Sequence, residues 1–127
     1  MTTMVCFTAA ANAYCLPVGA VRSVGTTQGM VQLPDPSDDV LGILPGDPTL
    51  TVISPLGARG SRMLVIETGT TVFALVVDEV TGLRKIKEGD IRSARRGQEG
   101  SLVTGTLDSE EGPLLLVVDP IALAGRL

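Results

Sequence analysis

The sequence predicts an all-β fold, a barrel or a sandwich, on three observations. Short apolar runs recur along the 127 residues with turn residues between them. Trp is absent and Tyr14, Phe7 and Phe73 are the only aromatic residues, so Val, Leu and Ile must fill most of the core, a mix that favours strands. The run Thr71 to Leu83, TVFALVVDEVTGL, crowds Val72, Phe73, Leu75, Val76 and Val77 together with little alternation before it drops into an acidic corner and a glycine. Both faces of such a strand are covered, and function belongs on the outside of a barrel-like body.

Each element follows in chain order. Met4 to Thr8 and Ala13 to Val18 read as a hairpin whose loop is Ala9 to Asn12, with Phe7 opposite Tyr14 and Cys6 opposite Cys15. Ala20 to Val24 is the next strand. Asp35, Pro36 and Gly42 supply an N-cap, a first-turn proline and a terminating glycine, which predicts a short helix. Strands follow at Thr49 to Ser54, Arg62 to Glu67, Thr71 to Val80, Ser101 to Leu107 and Leu114 to Val118. Thr68 to Thr70, around Gly69, and Asp108 to Pro113 are the turns between neighbours. Asp119, Pro120 and Gly125 repeat the capping arrangement around Ile121, Ala122 and Leu123. No internal repeat or interdomain linker is legible, so residues 1–127 form one domain by size.

Composition narrows the chemistry. With no His and two Cys, zinc or copper sites of the usual kinds are excluded, the commonest general base is missing, and no metal or cofactor is expected. Cys6 and Cys15 are expected to be small, reduced core residues, with a redox pair as the lesser alternative. The glycines form no phosphate-binding loop. Asp78 and Glu79 are adjacent on a strand, point to opposite faces and make a poor acid/base pair. Asp78 is expected instead to accept backbone N–H groups from loops, or to join a contact surface, while Asp35 and Asp119 act as helix caps. Arg84, Lys85, Lys87, Arg92, Arg95 and Arg96 are crowded together, yet without aromatics among them, with Glu88 and Asp90 between them, and in a chain of net charge −4. A solvated loop or protein-contact face is expected there, and no nucleic acid. The apolar runs are too short to cross a bilayer and no signal peptide is seen, which makes the cytoplasm the expected location, without membrane insertion.

The order of the segments resembles the CheW-like family of bacterial chemotaxis adaptor domains. VCFTAAANAYCLPV is similar to the family's opening hairpin, AVRSV to its V-x-E-V element, and LPDPSDDVLGI to the proline loop, short helix and glycine before its NLRG motif. LTVISPL resembles the V-x-P-V-x-D-L strand, TVFALVVDEVTGL the G-x-x-V-D-x-V segment, and VTGTLDSEEGPLLLVVDPIAL the closing hairpin and C-terminal turn. The resemblance implies two intertwined, five-stranded, SH3-like barrels sharing one core, with short helical turns, no cofactor and no catalysis. It implies a cytoplasmic adaptor with one surface for the regulatory domain of a histidine kinase and another for the tip of a chemoreceptor. Val21, Ser23, Gly42 and Asp47 would belong to the kinase-facing surface, and Val80 and Leu83 to the receptor-facing groove. A core or turn role is the alternative for each.

Three polar family positions differ. Pro45 to Pro48 stands where NLRG is expected, so Asp47 replaces the arginine and Pro48 the glycine; Ser23 replaces a glutamate and Pro55 an aspartate. A positive contact has become negative. The other function classes carried by the sequence are a self-associating barrel module, which would be a homo-oligomer, and a small enzyme built on Asp78.

Overall fold

The structure, a computed structural model, describes residues 1–33, 39–93, 102–108 and 114–127. The apolar runs become β1 (Thr2–Ala9), β2 (Asn12–Pro17), β3 (Val21–Thr26), β4 (Val31–Gln32), β5 (Val40–Leu44), β6 (Leu50–Ile53), β7 (Arg62–Thr68) and β8 (Thr71–Val77). They continue as β9 (Glu79–Ile86), β10 (Arg92–Ser93), β11 (Val103–Leu107), β12 (Leu115–Val118) and the one-turn helix α1 (Pro120–Ala124). Among the described residues, no helix is long and apolar enough to cross a membrane.

The strands form two six-stranded sheets, ordered β10-β11-β12-β2-β1-β9 and β4-β5-β6-β8-β7-β3. The sixth strand of each, β10 or β4, is a two-residue addition to the five expected. Each sheet repeats one scheme. A hairpin (β1–β2 or β7–β8) pairs antiparallel with one edge strand (β9 or β3) and parallel with a three-strand meander ending in β12 or β6. The chain fills them reciprocally, because β1–β2 lies with β9 to β12 while β7–β8 lies with β3 to β6. The halves are therefore intertwined.

The repeat holds residue by residue. Val21 pairs with Ile66, Ser23 with Val65 and Val24 with Leu64; in the other sheet Val80 pairs with Phe7, Gly82 with Cys6 and Leu83 with Val5, and both ladders shift register at the same step. The Ser54 amide donates to the Asp39 carbonyl, and its counterpart Asp119 to Leu102, both at 2.9 Å. Gly42 and Gly105 also correspond. A Cβ on Gly105 would meet Ile91 Cγ2 at 2.6 Å and the Arg92 carbonyl at 2.8 Å, and one on Gly42 would collide with the Val31 carbonyl. Only glycine lets the short strands β4 and β10 approach so closely.

Strand alternation sorts the core. Val5, Phe7 and Ala9 of β1 and Tyr14 and Leu16 of β2 meet Val52, Ile53, Leu64, Ile66, Phe73 and Leu75 in one cluster common to both sheets. The Phe7 and Tyr14 rings stack there with centroids 5.6 Å apart. Met4, Cys6 and Cys15 point the other way, into a smaller cluster with Ile86, Leu107, Leu115 and Val117. Every residue from Phe73 to Val77 is buried, as an unalternating run requires.

Three expectations need correction. Gly42 does not terminate a helix: it is buried within β5, while Asp35 and Pro36 lie outside the described residues. The strand drawn from Thr71 to Val80 is broken at Asp78, where the chain passes from one sheet to the other. Arg84 and Lys85 belong to β9 rather than to a loop, because β1 offers a free edge to pair with; Arg95 and Arg96 lie outside the described residues. The turn expected from Asp108 to Pro113 also falls largely outside them. The second helical turn stands as expected, with Asp119 Oδ1 accepting the Ile121 N–H at 3.0 Å and Pro120 opening α1.

Candidate functional site

Asp78 occupies the crossover between the sheets, and its carboxylate is spent on backbone. Oδ2 accepts the Ala10 N–H at 2.8 Å, from the β1–β2 turn, and Oδ1 accepts the Arg59 N–H at 3.2 Å, from the loop before β7. The Asp78 N–H in turn donates to the Thr8 carbonyl at 2.8 Å. The Ala10 bond first, then that from Arg59, holds this carboxyl below the usual aspartate range. It is a clip between the two halves, as its position at a strand exit implied, and not a base.

Cys6 and Cys15 are paired across β1–β2, buried and free. Burial pushes both thiols up, Cys15 to about 11, with the neighbouring Cys6 adding to the rise and the Arg84 guanidinium opposing it. Such thiols are protonated at neutral pH. Among the described residues, no cluster of three or more His, Cys, Asp or Glu side chains could hold a metal ion.

What the structure offers outward lies on the edge strands. Val21 of β3 and Val80 of β9 are topological equivalents, each half-buried against the shared core. Ser23 and Asp47 are exposed, and Leu83 is 68% exposed. Gly42 is buried beneath β4. The structure thus brings Val21 and Ser23 together on β3, and Val80 and Leu83 together on β9, in the two different sheets.

Sequence reasoning missed Val24, the counterpart of Leu83, which is 52% exposed, and also Val31 and Leu41, exposed on β4 and β5. The signal available for Val24 was its position one step beyond the register shift that also precedes Leu83. It could be used only once the repeat was visible.

The covered core and the exposed apolar residues of the edge strands define a double-barrel domain whose accessible chemistry lies on its outer strands. Residues 47–127 match the CheW-like domain, and the chain belongs to that family. The matched span contains Asp47, Val80 and Leu83. The crystal structure of the scaffolding protein TtCheW from Thermoanaerobacter tengcongensis is similar, with a TM-score of 0.80 over 93% of this chain and 84% of that one, at 21% identity. That likeness shows the fold. No curated protein sequence matches the chain.

Proposed function

We propose that this protein is a non-catalytic chemotaxis adaptor, working in the cytoplasm, that couples a chemoreceptor to the regulatory domain of a histidine kinase. The observation that carries this reading is membership of the CheW-like family over residues 47–127. The TtCheW structure, itself that of a scaffolding protein, supports it through the fold. Val21, Ser23 and Asp47 form the kinase-facing surface, which Gly42 shapes from beneath, and Val80 and Leu83 face the receptor. Exposed apolar side chains supply affinity, and the charges around them select the partner. Asp47 in place of a basic residue directs the domain toward a partner carrying a positive charge at that point.

Calorimetric titration of the full chain with a histidine kinase regulatory domain tests the reading, and a receptor-tip fragment serves for the second surface. Asp47→Arg is expected to tighten binding to an ordinary chemotaxis kinase about two- to fivefold, the range of an exposed ion pair. Unchanged affinity removes residue 47 from the interface; failure of both partners to bind removes the adaptor role. Self-association is the second reading, favoured by the edge strands β3 and β9 with Val24 and Leu83 exposed on them. Sedimentation equilibrium separates it, since it requires a stable oligomer that ignores kinase domains.

A further inference from the structure

The mouth of the barrel formed by β1, β2 and β9 to β12 contains a trough with two ends of opposite chemistry. One end is an opening of about 480 Å³ lined by Cys6, Ala13, Gly82, Leu83, Arg84 and Leu115. The other, about 760 Å³, is lined by Arg84, Lys85, Lys87 and Arg92, with Leu107 and two carboxylates, Asp90 and Asp108. Arg84 lines both, so its side chain stands where the two adjoin. Each falls within the size range of small-ligand sites.

Gly82 makes the apolar end. It sits opposite Cys6 at the register shift of β9, and nothing lies within 4 Å of where a Cβ would be, which leaves an opening toward the thiol. The equivalent position in the other sheet carries Ser23. Charge is concentrated at the other end. Arg92 is engaged by Asp108 at 3.1 Å, and Arg84 donates to the Asp108 carbonyl at 3.4 Å, which leaves further donors on its guanidinium. Among the described residues, neither Lys85 nor Lys87 makes an ion pair, and both are exposed. Arg84 and Cys6 line the same apolar opening.

We propose that this trough binds a small, single-chain anionic amphiphile, its acidic head held by Arg84 and Lys87 and its apolar chain lying over Cys6, Ala13, Leu83 and Leu115. Cations beside an apolar slot complement such a molecule and reject one with a cationic head. The site does not rest on the adaptor role. Its occupant is free in solution, because an apolar opening of about 480 Å³ takes one short chain rather than a bilayer.

The test is calorimetry of the full chain with decanoate, decyl sulfate and decyltrimethylammonium below their micelle concentrations, beside anionic phospholipid vesicles. Both anions are expected to bind one to one and the cation at least about tenfold more weakly. Arg84→Gln is expected to weaken decanoate about tenfold, and Lys87→Gln, at an exposed position that leaves the fold alone, by about two- to fivefold. Ala13→Leu, which narrows the slot, is expected to abolish binding while cooperative urea unfolding is retained. Bound decanoate is expected to slow alkylation of Cys6 by N-ethylmaleimide. Equal binding of the cation, undiminished binding by both charge variants, binding to vesicles alone, or no saturable binding each overturns the proposal.

Discussion

Asp78 shows how much one residue type at one position can carry. A carboxylate at the end of a buried strand has backbone donors nearby and no cation committed to it, so accepting N–H groups was the expected role, and the Ala10 and Arg59 bonds fulfil it. The partners themselves were not readable, because they come from sequence-distant loops. One of them holds a strained turn: Ala10 and Ala11 adopt φ of 49° and 69°, a left-handed pair without the Asn-Gly that usually marks it. The folded-state pKa of Asp78 lies below its unfolded value of about 3.9, so its stabilisation is fully present above that value and is lost as pH falls through the folded one. Urea midpoints measured from pH 6 down to pH 2 are expected to fall less steeply for Asp78→Asn than for the parent, with the variant less stable at pH 6. Parallel curves would remove the carboxylate from the acid response.

At the scale of elements, long apolar runs were read well and short or interrupted strands were missed. β7 and β8 announce themselves by unbroken burial. β9 was concealed by Thr81 and Gly82, which break the alternation where the ladder shifts register. β4 and β10 carry two residues each, too few for any pattern, and exist because Gly42 and Gly105 permit close approach. Gly42→Ala and Gly105→Ala are therefore expected to destabilise by about 1–3 kcal/mol each in urea unfolding, the range of an overpacked site. Loss of less than about 0.5 kcal/mol would show that the short strands give way freely. The candidate contact residues divide by the same logic. Val21→Asp puts a charge against the shared core and is expected to lower the urea midpoint, whereas Leu83→Ser, at an exposed position, is expected to leave stability within about 0.5 kcal/mol. A folded, fully stable Val21→Asp variant would show that the packing of Val21 against the core contributes little.

At the scale of the whole molecule the governing fact is the reciprocal exchange of hairpins. β1–β2 is completed by strands beyond residue 78, and β7–β8 by strands that precede it, so neither half owns a finished sheet. Residues 1–59 and 60–127 made as separate fragments are expected to show no cooperative unfolding alone and to regain it on mixing, read by circular dichroism against urea. Independent folding of either fragment would contradict the shared core. The exchange also joins the two edge surfaces through one packed interior, since Val21 and Val80 rest on the same cluster.

The sequence by itself determined the all-β class, the first hairpin with Phe7 opposite Tyr14 and Cys6 opposite Cys15, the buried strand at Phe73 to Val77, the Asp119 cap and the role of Asp78. It also carried the family. These are local matters: alternation, capping and turn chemistry act over a few residues and are written in them. The tertiary structure alone decided that the molecule is an internal repeat, that Val21 and Val80 are counterparts, that Val24 and Leu83 are exposed on matching edges, and that Arg84 borders both an apolar slot and a cationic cleft. The repeat is carried by backbone pairing, which leaves most side chains free to differ between the halves, and a trough assembled from six strands is present in no single stretch of chain.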